Sequence, residues 1–224
     1  AAQRAIRELN PKKIKTQSIP IMFEPRIANS LLSTLSSAIS GSSFARGTSF
    51  LKEKLNKRIF SNNIDIIDDP RIKKSMYSKP FDDEGVSSEK IYLVKDGVLK
   101  NLKLGSYYSK MLNMKSNGRS SGLTNTYFTN GKKSCEEMKK SLVKYILVTE
   151  TMGGFGNTTT GEFSCGAAGV YYENGDSYSI NNFTLGGKLE DMFMNLVLAD
   201  DLKFKYSKNS PTALIQEGLI VGGQ

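Results

Sequence analysis

A chain of 224 residues, 38% hydrophobic and 24% charged, can bury a sizeable core and has no apolar run long enough to cross a membrane. Its net charge of +9 comes from lysines scattered in short groups, which indicates a solvated basic surface and argues against a nucleic-acid partner. Histidine is absent from the sequence, which excludes Ser-His-Asp and Cys-His catalysis and removes the commonest zinc ligand.

The first predicted elements are a strand and a helix. Residues 19–23 are a short apolar run typical of a buried strand, and Pro20 indicates an edge strand or a strand start. Pro25 suits the first turn of a helix, and apolar residues at helical spacing predict a helix over residues 26–40. Gly41 is predicted to cap the C-terminus of this helix.

The next stretch reads as loops, a short helix and the start of a sheet. Residues 41–48 are predicted to form a loop and residues 50–55 a shorter helix, before a strand pattern at 64–67. The acidic clusters at 68–70 and 82–85 each coincide with a turn signal. We interpret them as turn and cap residues, because Asp forms local hydrogen bonds with the backbone there.

Two β-hairpins are predicted from turn dipeptides. Residues 88–102 read as two strands joined at the Asp-Gly pair 96–97, which favours a type I′ turn. Strands at 165–172 and 178–183 flank the Asn-Gly pair 174–175 in the same way. These two hairpins indicate antiparallel sheet.

The remaining elements complete an α+β prediction. Ser134 and Glu137 form the pattern of a capping box, and Thr184 is predicted to cap a helix that carries apolar residues over 189–197. Short apolar runs predict further strands at 125–128, 145–149, 202–206, 212–215 and 219–221. Without strand–helix–strand alternation, this order predicts an α+β fold, a largely antiparallel sheet with packed helices.

Several separate motifs resemble the TldD/PmbA family, an older name for which is modulator of DNA gyrase. They lie at residues 160–169, 173–175, 96–99, 80–86, 184–187, 38–41 and 222–224. The resemblance implies the C-terminal domain of the PmbA (TldE) branch over residues 12–224. Residues 1–11 would then be the remnant of a helix that links a missing N-terminal domain.

The resemblance also implies a degenerate metal site. In TldD-like chains, a helix carries His-Glu-x-x-x-His, whose imidazoles bind zinc together with a later Cys, and the Glu acts as base. Aligned through Gly41, these positions correspond here to Leu32, Ser33 and Ser37, with the Cys near Pro211. None of the four residues is a zinc ligand, so the resemblance implies a chain without a catalytic residue, metal or cofactor of its own.

The two cysteines provide no replacement for that site. Cys135 and Cys165 are far apart and not in a zinc-like spacing, which fits a reducing, cytoplasmic location. We interpret Cys165, in the second hairpin, as a small packing residue.

The function implied by the resemblance is that of a non-catalytic subunit. A TldD-like partner would carry zinc and process unfolded peptides in a heteromer with this chain. Without that partner, this chain would form a homodimer. Gly153, Gly154, Asn174 and Gly175 are candidates for peptide or partner contacts, although such loops are more often simple connections. The alternatives are a stand-alone binding module acting on DNA gyrase or nucleic acid, and a hydrolase with another metal arrangement.

Overall fold

The computed structural model describes residues 10–223, so almost all of the predicted linker remnant at 1–11 lies outside the described residues. The five helices in this range are α1 (Pro25–Ala38), α2 (Gly41–Ala45), α3 (Ser106–Met111), α4 (Cys135–Lys140) and α5 (Leu189–Met194). The twelve strands are β1 (Ile21–Phe23), β2 (Ile66–Asp68), β3 (Ile91–Lys95), β4 (Val98–Leu99), β5 (Thr126–Phe128), β6 (Lys144–Met152), β7 (Glu162–Glu173), β8 (Asp176–Lys188), β9 (Leu196–Leu198), β10 (Lys208–Asn209), β11 (Ala213–Ile215) and β12 (Leu219–Gly222).

The strands form two sheets. The larger has seven strands in the order β12-β8-β7-β6-β1-β11-β9, and the smaller has five in the order β10-β5-β2-β3-β4. Among the described pairs, β1–β6 and β5–β10 are parallel and the others are antiparallel. The predicted α+β fold with largely antiparallel sheet is therefore confirmed. Across residues 10–223, no helix is both long and apolar enough to span a membrane.

Of the two positions that Pro20 indicated for the first strand, the strand start is confirmed and the edge is not. β1 lies in the interior of the larger sheet, parallel to β6 and antiparallel to β11. Pro20 precedes the strand, where its missing N–H removes no ladder hydrogen bond, and its carbonyl accepts one from the Ile146 N–H (3.1 Å). Ile21 and Phe23 enter the principal core, while Met22 points to a second apolar cluster on the opposite face.

Helix α1 begins at Pro25, as predicted, and packs against β1, β6 and β10. It ends at Ala38, and Gly41 does not cap it but starts α2. The Ser40 hydroxyl accepts a hydrogen bond from the Ser43 N–H (3.2 Å), which starts a new helix where a loop was predicted. A Cβ at Gly41 would collide with Leu104 and Tyr108, so the position requires glycine for close approach and not for a left-handed cap.

Four further predictions fail, two of them because strand pairing overrides local signals. Thr184 does not cap a helix, because it lies in β8 between Gly166 and Gly222 of the neighbouring strands. Residues 196–197 leave the predicted helix to join β9, which pairs with β11. Residues 50–55 form turns, and residues 202–206 form no strand.

Both predicted hairpins are confirmed. The central residues of both turns have the positive φ that a type I′ turn requires: Asp96 46°, Gly97 75°, Asn174 51° and Gly175 92°. The capping box is confirmed too, since Glu137 N–H donates to the Ser134 hydroxyl (3.2 Å) and Ser134 N–H to the Glu137 carboxylate (2.7 Å).

The acidic clusters divide into turn residues and one buried strand residue. Asp82 holds a turn, as predicted. Burial raises its pKa, but N–H donors from Ser120, Val86 and Glu84 outweigh that effect and hold the pKa below its usual value. Asp68 is no turn residue, because it ends β2 fully buried and forms an ion pair with Arg119 (2.9 Å).

Candidate functional site

One edge of the larger sheet gathers the segments that carry Leu32, Ser33, Ser37 and Pro211, the positions predicted to correspond to a metal site. β1 and β6 run parallel, so their carboxyl ends lie at the same edge. β11 runs antiparallel to β1 with Ala213 opposite Phe23, which places the preceding Pro211 there as well. Helix α1, the loop after β6 and the segment before β11 therefore converge, and we call this region the α1 edge.

The four degenerate positions are in different environments at the α1 edge. Leu32 is fully buried in the principal core, and Pro211 is buried just before β11. Ser33 and Ser37 are exposed, and their hydroxyls donate to the helix's own carbonyls, Asn29 (3.4 Å) and Ser33 (3.2 Å). The predicted positions thus lie in one neighbourhood but do not point to one centre.

The residues at these four positions do not fit zinc. Leu32 and Ser37 are five residues apart on a regular α-helix, which separates their side chains by about 140° around the axis. One side chain faces the core and the other faces solvent, so in this chain the two do not line a common site. An alkyl chain, two neutral hydroxyls and a proline also offer none of the usual zinc donors.

No alternative ligand set replaces these residues in the described part of the chain. Among residues 10–223, no group of three or more His, Cys, Asp or Glu side chains lies close enough to hold a metal ion. Lys103, whose carbonyl accepts from the Gly41 N–H (3.0 Å), lies where α1 ends. Burial and the nearby charge of Lys208 lower the pKa of Lys103.

A cleft of about 400 Å³ lies between the first turn of α1 and the chain before β11. Arg26 is fixed at its mouth by the Thr149 carbonyl (2.8 Å) and the Glu150 carboxylate (3.9 Å). Asp201 accepts from the Thr212 N–H and hydroxyl (both 2.7 Å). The cleft is lined by Glu24, Pro25, Arg26, Asn29, Asp201, Lys203, Lys205, Tyr206, Asn209 and Ser210.

Sequence reasoning missed this cleft, because no motif joins its two walls. About 175 residues separate the Arg26–Asn29 wall from the wall before β11. The one available signal is the polar face of the predicted helix, on which Arg26, Asn29 and Ser33 lie. Asn29 Oδ1 is buried without a hydrogen-bond partner among the described residues.

The structure places Gly153 and Gly154 at the α1 edge. They are exposed in the loop after β6, and a Cβ at either would meet no neighbouring atom. The adjoining Phe155 anchors the loop, since its carbonyl accepts from the Thr34 hydroxyl (2.9 Å) and its ring packs edge-on against Phe23. The two glycines are thus free to face a ligand or partner while the loop is held on α1.

Asn174 and Gly175 lie at the opposite edge of the sheet. In the β6–β7 ladder, Lys144 pairs with Glu173 beside this turn, whereas Met152 pairs with Gly166 at the other end. The nine residues of β6 separate the two ends by roughly 26 Å at about 3.3 Å per residue. The two glycine-containing loops therefore cannot form one site, and each stays a separate candidate for contacts.

Comparison with known proteins identifies the family. A family model described as the PmbA/TldA metallopeptidase C-terminal domain matches residues 16–223. A Metalloprotease PmbA homolog from Buchnera aphidicola (Acyrthosiphon pisum) is 36% identical over 99% of this chain and 50% of its own length. A Metalloprotease TldD homolog from the same organism is 28% identical over 100% of this chain and 52% of its length.

A solved structure supports the same family assignment. A crystal structure from Bacteroides thetaiotaomicron, provisionally described as a modulator of DNA gyrase, superposes with a TM-score of 0.92 at 29% identity. The match covers 100% of this chain and 51% of that one. The chain thus spans about half the length of the curated relatives it matches. It belongs to the PmbA/TldD metallopeptidase family, within which residues 16–223 correspond to the C-terminal domain.

Proposed function

We propose that this chain is a non-catalytic, metal-free subunit of a cytoplasmic zinc metallopeptidase complex that processes or degrades unfolded peptides. A TldD-like partner would carry the zinc and the catalytic Glu. The observation that carries the proposal is the state of α1, where Leu32 is core and Ser33 and Ser37 bond to their own helix. This helix offers no zinc ligand at any of these three positions.

Two observations support the pairing. PmbA and TldD homologs from one organism both match nearly this whole chain, so the two kinds of chain share this domain and occur together. The α1 edge also has open features that a second chain could use, namely the cleft and the exposed Gly153–Gly154 loop. In the complex, this chain would shape the space in which its partner cleaves peptides.

The test is reconstitution. The chain and a TldD-like protein are purified separately, mixed, and assayed by light scattering, elemental analysis and cleavage of an unfolded peptide. We expect zinc to accompany the TldD-like protein, and the mixture to form a heteromer that cleaves more peptide than either component. A partner whose motif Glu is replaced by Gln should still form the heteromer without cleavage. If mixing gives neither a complex nor a gain in cleavage, the proposal is wrong.

A second candidate function for this chain comes from the Bacteroides relative, which is provisionally described as a modulator of DNA gyrase. In that case the chain would act alone on gyrase or on nucleic acid. A supercoiling assay with the isolated chain separates the two functions. We expect no effect on gyrase, and DNA binding that is weak and falls steeply as salt rises. Inhibition of supercoiling by the chain alone would favour the second function.

A further inference from the structure

A second cleft of about 310 Å³ lies next to the one at the α1 edge. The two are separated by residues 203–206, which we call the Tyr206 ridge, because Lys205 and Tyr206 line both clefts. The second cleft is lined by Ile72, Lys73, Lys74, Ser75, Met76, Tyr77, Asn125, Phe204, Lys205 and Tyr206. We call it the basic cleft.

The basic cleft exposes large apolar side chains. Met76 is 94% exposed, Phe204 54%, Tyr206 51% and Tyr77 42%. Single exposed apolar residues are ordinary, but four around one concave surface mark a binding surface.

The charged side chains that line the basic cleft are all positive. Lys73, Lys74 and Lys205 are exposed and form no ion pair among residues 10–223, and no acidic side chain lines the cleft. Folding brings these lysines together although about 130 residues separate Lys74 from Lys205. Three of the scattered lysines of the sequence thus create a local positive field that would attract anionic groups.

The walls of the cleft are held in place before any ligand binds. Buried Asn209 fixes the Tyr206 ridge, because its amide oxygen accepts from the Lys205 and Tyr206 N–H groups (2.7 and 2.9 Å). On the other wall, Ser75 donates to Asn125, whose amide donates to the Asp69 carbonyl (2.8 Å). A preformed surface loses little conformational entropy on binding.

We infer that the basic cleft binds an acidic peptide segment with an apolar side chain at its centre. The apolar side chain would insert between Met76 and Tyr206, while flanking carboxylates reach the lysines. A peptide is favoured over single-stranded nucleic acid because Ile72 and Met76 offer aliphatic surface, and the Phe204 ring is already packed edge-on against Tyr127 (4.9 Å). The inference rests on the proposed function only in taking peptides as the ligand class.

The test measures binding by the chain alone, so it fails or succeeds independently of complex formation and cleavage. A fluorescein-labelled peptide with Glu residues around one Phe is titrated with the chain and followed by anisotropy. The comparison probes are the same peptide with Gln in place of Glu, and an oligothymidylate of equal length. We expect the acidic peptide to bind most tightly of the three, and more weakly as salt rises.

Variants locate the site. The triple variant Lys73→Gln, Lys74→Gln, Lys205→Gln should weaken binding of the acidic peptide by about five- to tenfold, since each exposed charge pair contributes modestly. Lys13→Gln, Lys52→Gln, Lys57→Gln makes the same change in net charge at exposed lysines outside the cleft and should change binding little. Met76→Ser, at a side chain too exposed to affect folding, should weaken binding several-fold.

Three outcomes would overturn the inference. Equal affinity of the two triple variants would show that net charge, and not the cleft, attracts the peptide. Equal binding of the Gln peptide would remove the role of the carboxylates. Tighter binding of the oligothymidylate, lost in the cleft variant, would assign the surface to nucleic acid.

Discussion

The ion pair between Asp68 and Arg119 is the most deeply buried charged feature of the described chain. Both side chains are fully buried, with guanidinium and carboxylate 2.9 Å apart. The Thr124 and Thr126 hydroxyls also donate to Asp68, and Arg119 donates to the Glu89 carbonyl (2.6 Å). The pair therefore ties β2 to loops that follow much later in the chain.

We expect Arg119→Met to destabilise the chain by about 3–5 kcal/mol, because it leaves the Asp68 carboxylate buried without its partner. Urea denaturation followed by circular dichroism measures the change. Lys95→Met, which breaks the exposed pair with Asp65, serves as control and should cost much less. Equal losses in the two variants would show that burial is not the deciding factor.

The two thiols should differ in reactivity. Burial raises the pKa of Cys165 to about 11, whereas Cys135 is half-buried. At pH 8 we expect a thiol reagent to label Cys135 in the folded chain and Cys165 only after denaturation, because the thiolate is the reactive form. Fast labelling of Cys165 in the native chain would contradict its core position.

The same shift has a consequence for stability at alkaline pH. The folded pKa of Cys165 is raised above its usual value of 9.0. The neutral thiol of Cys165 therefore makes its full contribution to the free energy of unfolding below pH 9.0. It is lost as pH rises towards 11. Burial raises the pKa of Tyr145 in the same direction, to about 12. Cys165→Ala should make unfolding less sensitive to pH in this range.

At the residue scale, local hydrogen bonds were predictable and distant ones were not. The turn role of Asp82 follows from its neighbours, with donors at Glu84 and Val86. Asp68 stands in a similar sequence context, but its partner Arg119 is 51 positions away. Nothing in the local pattern distinguishes the two aspartates.

At the scale of elements, the regular geometry of α1 gives a direct test of the metal argument. Ser33 and Ser37 lie four residues apart on the exposed face, so Ser33→His with Ser37→His should create a two-imidazole site. Leu32→His with Ser37→His should bind zinc less well, because an imidazole at position 32 would be buried in the packed core.

Thermal unfolding with and without zinc measures the difference. With zinc about tenfold above its dissociation constant, the Ser33/Ser37 variant should gain about 1.4 kcal/mol. That corresponds to an increase in Tm of a few degrees for a chain of this size. Comparable stabilisation of the Leu32/Ser37 variant would contradict the core position of Leu32.

Elements whose signals are local matched the structure best. The Asp96-Gly97 turn and the Ser134 capping box depend on neighbouring residues, and both were predicted. Gly41 and Thr184 were assigned to helix ends on equally local grounds. Their roles are instead fixed by Leu104 and Tyr108 in one case and by strands on both sides in the other.

At the scale of the whole molecule, the larger sheet joins the beginning and the end of the described chain. β1 is completed by β11, near residue 215, while β12 is an edge strand that pairs with β8. A chain truncated after Ser210 should therefore lose cooperative unfolding, since β1 and β9 lose their shared neighbour.

Truncation after residue 216, which removes the edge strand β12 alone, is the control. It should lower stability but leave a cooperative transition, measured by near-ultraviolet circular dichroism during heating. If removing the residues after 216 abolished cooperative unfolding as fully as removing those after Ser210, the central place of β11 would not govern folding.

Of the candidate site, the sequence predicted the positions on α1 and missed the clefts. Leu32, Ser33 and Ser37 could be placed because one helix carries them in a fixed spacing. The walls of the basic cleft, around Lys74 and Lys205, meet through loops whose path depends on the completed fold. The sequence therefore suggested lysines dispersed over the surface, whereas folding brings some of them together in the basic cleft.

The buried position of Leu32 limits how this chain can evolve. A first mutational step towards a metal-binding residue, Leu32→His, would put an imidazole into packed core before any other ligand existed to compensate. Selection for stability would remove such a chain before the remaining ligands could arise one at a time. Core packing at Leu32 therefore disfavours the stepwise acquisition of metal ligands on α1.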